Sequence, residues 1–200
     1  MMQYLMSLFL IFLNILPAMA SPLPSDAPPP RTRIGRTKGV GTRGCETSPN
    51  FRIVAPDVLT TKVATNRPQF LIYAQGVKKY RVTVVQPKVA QPLYDQWFSP
   101  SNLYTLVKTD SPLQPNQIYR LTVVAPCSVD NSDIAYAFLL FQVEAPTFSL
   151  EQQLSNAQDV PSQAKIYADN GYFLEAISLI FTKNPEVTSI PLINTLIPDN

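Results

Sequence analysis

Residues 113–124, Leu113-Gln114-Pro115-Asn116-Gln117-Ile118-Tyr119-Arg120-Leu121-Thr122-Val123-Val124, decide how this chain is read. Pro115-Asn116 has the chemistry of a tight turn, because proline presets one backbone angle and asparagine tolerates a left-handed one. The seven residues from Ile118 onward are mostly β-branched or aromatic, which suits a pleated, half-buried strand. The same grammar repeats on both sides. Upstream lie Phe51-Arg52-Ile53-Val54, stopped by Pro56, then Phe70-Leu71-Ile72-Tyr73, Tyr80-Arg81-Val82-Thr83-Val84-Val85 and Leu103-Tyr104-Thr105-Leu106-Val107. Downstream runs Tyr136-Ala137-Phe138-Leu139-Leu140-Phe141-Gln142-Val143. Asn66-Arg67-Pro68, Gln86-Pro87, Ser99-Pro100 and Asp130-Asn131-Ser132 supply turns between them. With Tyr94-Asp95-Gln96-Trp97 this makes about seven strands. No helical period interrupts Phe51 to Glu144, which disfavours a doubly wound α/β fold.

That spacing predicts a mainly β fold, a sandwich over residues 45–147. The Leu113–Tyr119 segment resembles the corner before the penultimate strand of immunoglobulin-like and fibronectin type III-like sandwiches, where a tyrosine hydroxyl returns to the backbone a few residues upstream. After Pro146 the period becomes helical, and residues 148–200 read as a C-terminal helical hairpin and tail. Ser149-Leu150-Glu151-Gln152 has the pattern of a capping box. A second helix is expected from about Pro161 to Asp169, ended by Asn170-Gly171, and a third from about Phe173 to Thr182. Leu192, Ile193, Leu196 and Ile197 add a further short turn. The hairpin is similar to one tetratricopeptide unit, with Gly171 and Ala176 at its small positions. One unit cannot bury its own apolar face, so it has to dock on the sandwich or on a partner.

Ahead of the sandwich, residues 1–20 have an uncharged, apolar core from Leu5 to Leu16, broken by Pro17 and followed by Ala18-Met19-Ala20. That core is long enough for a secretory signal peptide and short of the roughly twenty residues of a membrane span. Cleavage is expected between Ala20 and Ser21, giving a secreted, periplasmic or extracellular protein that spans no membrane after removal of the signal. The alternative is a retained N-terminal anchor. Residues 21–44 read as a Pro/Gly-rich basic linker, disordered at least to Gly41. It carries Arg31, Arg33, Arg36, Lys38 and Arg43, with no acid between Arg31 and Gly44, while the body from Cys45 onward is mildly acidic. Such an arm is suited to weak, salt-sensitive contact with an anionic surface, polysaccharide or lipid headgroups; the alternative is a solvated tether.

Cys45 and Cys127 are the only cysteines, and in an oxidising compartment they are expected to pair. No histidine exists in the chain. This removes Ser-His and Cys-His nucleophiles, histidine zinc sites and histidine general-base chemistry. No G-x-S-x-G elbow, P-loop or dinucleotide glycine fingerprint is present either. No cofactor, metal or nucleic-acid partner is expected. Asp130 and Asp133 form the closest acid pair for a glycosidase-type site, although Asp130-Asn131-Ser132-Asp133 also has the composition of an ordinary turn. Tyr94, Trp97, Phe98 and Tyr104 offer a stacking platform for a sugar ring, against the expectation that aromatics fill the sandwich.

Several stretches also resemble one family. Gly41-Thr42-Arg43-Gly44-Cys45 and Arg67-Pro68-Gln69-Phe70-Leu71-Ile72-Tyr73 are similar to the opening of the domain of unknown function 928 family, and Tyr119 followed by Cys127 to its middle. Ala164-Lys165-Ile166-Tyr167-Ala168-Asp169-Asn170-Gly171, then Glu175-Ala176-Ile177, resemble its C-terminal hairpin, whereas Arg120-Leu121 stands where that family has an aromatic-rich strand. The resemblance implies an exported, cyanobacterial-type protein and supplies no activity. The reading is therefore a noncatalytic module of the cell envelope or extracellular space, contacting an envelope protein or anionic surface. The alternative is a carbohydrate-binding or carbohydrate-active protein using Trp97, Tyr94, Asp130 and Asp133.

Overall fold

The computed structural model of the chain describes residues 38–45, 49–56, 60–128 and 132–185. These residues form nine strands and three helices. The seven expected strands are present as β2 (Asn50–Ile53), β4 (Gln69–Gln75), β5 (Tyr80–Val85), β6 (Tyr94–Phe98), β7 (Tyr104–Lys108), β8 (Ile118–Pro126) and β9 (Ile134–Val143). Two more appear, β1 (Lys38–Arg43) and β3 (Thr61–Val63). One sheet has the order β1-β9-β8-β5-β6, with β3 also on β9, and the other has the order β2-β4-β7. All pairings are antiparallel except that of β3 with β9.

The two sheets close on one core because alternate residues of each strand face inward. Val82, Val84, Leu121, Val123, Leu139 and Phe141 of the larger sheet meet Ile53, Phe70, Ile72 and Val107 of the smaller. Phe70 and Phe141 bridge the sheets edge-to-face at 5.1 Å. The corner anticipated from residues 113–119 has formed. The Tyr119 hydroxyl accepts from the Gln114 N–H at 2.9 Å and donates to the Gln114 carbonyl at 3.2 Å. Arg120 points outward and Leu121 is buried, which is the alternation that the core requires.

β4 is buried on both faces, and this explains its unbroken apolar run. Its outer face, with that of β7, is covered by α2 (Val160–Asp169) and α3 (Phe173–Lys183). Leu71 and Val54 pack there with Ala164, Ala168, Ala176, Ile177, Ile180 and Phe181, with Tyr73, Tyr104 and Leu106 against them. Leu174 of α3 reaches the core between the sheets. The hairpin's docking partner is therefore the sandwich itself. Gly171 (φ +84°) turns the chain between α2 and α3, as Asn170-Gly171 implied.

Three expectations are corrected. The linker does not extend to residue 44, because Lys38–Arg43 pairs with β9 from Lys38↔Leu139 to Arg43↔Ile134. The pairing uses backbone groups, so a glycine-rich composition does not forbid it. Gly41 leaves room there for the Tyr136 ring, which would have to shift for an added Cβ, 2.6 Å from its hydroxyl. The first helix, α1 (Phe148–Asn156), is capped not by Ser149 but by Thr147, whose hydroxyl accepts from the Leu150 N–H at 3.3 Å. Finally, not every aromatic fills the sandwich, since Trp97 is exposed. Residues 1–37, Asp130 and Leu192 to Ile197 lie outside the described residues, and with them the signal peptide and Arg31, Arg33 and Arg36.

Candidate functional site

Where the hairpin meets the sandwich, a cleft of about 410 Å³ opens between the β3–β4 turn, the end of β7, and helices α2 and α3. That volume lies within the range of small-molecule sites. Glu175 forms part of its wall. It occupies the first turn of α3, where the helix dipole favours a carboxylate. Its Oε1 accepts from the backbone N–H groups of Ala64 at 2.5 Å and Thr65 at 3.2 Å. Oε2 is buried and has no hydrogen-bond partner among the described residues. Burial pushes the carboxyl up to about 7, against the pull of those backbone N–H groups and its own. The Tyr167 hydroxyl, in the same wall, is raised by burial and then by the charge of Glu175.

The rim is basic. Arg67 stands in the turn, held by its own N–H donating to the Thr65 hydroxyl at 3.2 Å. Lys108 ends β7, directly across from Gln69 of β4. Both line the cleft, both are exposed, and neither forms an ion pair among the described residues. Surface pairs do form elsewhere, between Lys62 and Glu144 at 3.0 Å and between Lys165 and Asp169 at 2.7 Å. Walls of mixed polar and apolar character, two cations without an ion pair among the described residues, and a carboxyl pushed up to about 7 can bind and orient a polar ligand.

Sequence reasoning did not find this site, although a signal was present. Glu175 is the only charged residue in Phe173-Leu174-Glu175-Ala176-Ile177-Ser178-Leu179-Ile180-Phe181, an otherwise largely apolar helix. From sequence, Arg67 reads as part of a turn and of the stretch resembling the family's opening, and not as a site residue.

The residues singled out from the sequence are dispersed. Cys45 and Cys127 form a disulfide with Cα atoms 5.7 Å apart, joining the residues just after β1 and β8. Arg43 is exposed at the end of β1, and Lys38 begins that strand. Tyr94 and Trp97 point to opposite faces of β6 and make no shared platform. Tyr94 is buried, its hydroxyl donating to Gln96 Oε1 at 2.6 Å and pushed up to about 12 by burial first. Phe98 stacks on Tyr80 at 5.5 Å, and Tyr104 lies against Tyr73 at 5.1 Å. Trp97 is 52% exposed on the outer face of the larger sheet, under the Lys79 ammonium at 5.3 Å and beside the Arg81–Asp95 ion pair. In register, Trp97, Arg81, Val124, Tyr136 and Gly41 cross that face as one row. Asp133 immediately precedes β9, three strand spacings or about 14 Å from β6. Its N–H donates to the Ser128 hydroxyl at 3.0 Å, and its carbonyl accepts from Cys127. The structure therefore does not bring Asp133 and Trp97 into one site.

The sequence matches the family Domain of Unknown Function (DUF928) over residues 38–191. The match covers most of the chain and starts at the first residue of β1. The chain belongs to this family. No curated protein matches the sequence.

Proposed function

We propose that the protein is an exported, noncatalytic binding module of the cell envelope or extracellular space, and that the seam between sandwich and hairpin is its ligand site. The observation that carries the reading is the cleft, where Arg67 and Lys108 have no ion-pair partner among the described residues while Glu175 is anchored in the wall. The Cys45–Cys127 disulfide fits an extracytoplasmic location, and no helix among the described residues is long and apolar enough to cross a membrane. We also read the sandwich as immunoglobulin/fibronectin-III-like. The Tyr119 corner and the β2-β4-β7 against β9-β8-β5-β6 order support this.

The test is ligand capture. Protein purified from its native compartment is incubated with fractionated small molecules of the envelope, and bound species are read by native mass spectrometry. Wild type should retain a ligand that Ser178→Trp, which fills the cleft, releases while keeping the wild-type circular dichroism. Retention by both proteins would place binding elsewhere. Conversion of the ligand to a new mass would make the protein an enzyme.

A further inference from the structure

The cleft's charge pattern narrows what it takes. Among the described residues that line the cleft with Arg67 and Lys108, Glu175 is the one acid. Yet its Oε1 is committed to the Ala64 and Thr65 amides, and its Oε2 is buried. Among the described residues the two rim cations therefore have no ion-pair partner, and they stand together in one concavity. A concave wall focuses their field, so a mobile negative group gains most by entering there. Resting on the reading of the cleft as the ligand site, we propose that it is an oxyanion site: a carboxylate or phosphate group of a polar ligand binds at Arg67 and Lys108, and its occupancy is coupled to the charge on Glu175.

The coupling follows from electrostatics. An ionised Glu175 repels an anion in its own cleft, and a protonated one does not. The groups around Glu175 are known from every packed element. Tyr167 of α2 and Tyr172 ahead of α3 both feel its charge, and the Lys62–Glu144 pair lies by Tyr172. Arg67 and Lys108 complete the set. Binding of the anion should therefore favour uptake of a proton by Glu175, and alkaline pH should weaken binding.

The experiment titrates the disulfide-bonded protein with sulfate, succinate, methyl phosphate and glycerol, reading the Ala64 and Thr65 amide resonances. Sulfate keeps its charge throughout and serves for comparing pH 6 with pH 8.5. The three anions should shift these resonances saturably, and more weakly at high salt, while glycerol should not. Succinate binding tighter than methyl phosphate would identify a carboxylate ligand, and the reverse a phosphate. Arg67→Ala with Lys108→Ala, both exposed positions, should weaken binding about tenfold or more. Sulfate should bind about fivefold more weakly at pH 8.5 than at pH 6 in wild type, and equally at both in Glu175→Gln. Undiminished binding by the double variant, or a wild-type affinity indifferent to pH, would overturn the proposal. A neutral ligand captured in the cleft, with no anion binding there, would also overturn it while leaving the binding-module reading intact.

Discussion

Raising the pH from 5 to 8 should destabilise this protein, and one side chain should account for most of the loss. Glu175 is pushed from its ordinary 4.5 to about 7 by burial. Between those values the folded state holds a proton that the unfolded chain releases. The contribution is therefore fully present below pH 4.5, declines as pH rises, and is lost once pH passes about 7. At 1.36 kcal/mol per pKa unit, the full swing is about 3 kcal/mol. The background is favourable, because the chain has no histidine and only its α-amino terminus ordinarily titrates in this window. Urea unfolding of the oxidised protein at half-unit pH steps measures the effect. Glu175→Gln keeps an acceptor for the Ala64 and Thr65 amides but cannot ionise, so its stability should be flat from pH 5 to 8. A wild type equally stable at both ends, or a variant that retains the decline, would refute the assignment.

Other perturbations have separate readouts. Tyr119→Phe removes both bonds to Gln114 and leaves its part-buried N–H unpaired, costing about 1–3 kcal/mol in urea unfolding; no loss would mean that the corner is only core packing. Replacing Cys45 and Cys127 by alanine opens a connection of 82 residues and should cost about 4.5 kcal/mol in the chain-entropy picture, with the wild-type unfolding midpoint becoming insensitive to reductant as the sign that no bridge exists. Gly44→Ala and Gly171→Ala form a matched pair, both at positive φ. A Cβ at Gly171 meets open space, whereas one at Gly44 collides with the Asp133 carboxyl. The Gly171 variant should lose about 1 kcal/mol and the Gly44 variant clearly more, so equal thermal shifts would contradict the geometry. Leu174→Ala should cost about 2–5 kcal/mol by calorimetry, because that side chain carries α3 into the inter-sheet core, and a loss under 1 kcal/mol would place it outside.

The fold was legible wherever side chains decide it. Phe70-Leu71-Ile72-Tyr73 announces a strand covered on both sides, and Pro115-Asn116 with Tyr119 announces the corner. β1 was illegible because backbone pairing with β9 carries it, and Gly41 lies under a neighbour's ring, which no local pattern reveals. β3 is three residues long, too short for any period to register. Trp97 misleads for a different reason. Composition says that a lone tryptophan should be buried, whereas the alternation along β6 puts Tyr94 inside and Trp97 outside. The candidate site was hidden most fully. Its wall comes from a helix and its rim from a turn and a strand end, and nothing in sequence shows that residues 64 and 175 meet.

With the seam as the proposed ligand site, that meeting ties binding to stability. α3 is seated by three contacts of different kinds: Leu174 enters the core between the sheets, Ile177 and Ile180 cover β4, and Glu175 holds the β3–β4 turn. The first two are apolar and insensitive to pH or salt in the ordinary range. The third is a single carboxyl that also lines the cleft. A ligand bound between turn and helix touches both sides of the seam, so it stabilises the docked hairpin by mass action, about 2.7 kcal/mol at a hundred times its Kd. Ionisation of Glu175 acts in the opposite sense on that seam, since its buried Oε2 then carries charge without a partner. A proton and a ligand at this junction therefore draw on one equilibrium, the seating of α3 against the sandwich, and each should be visible in the other's titration.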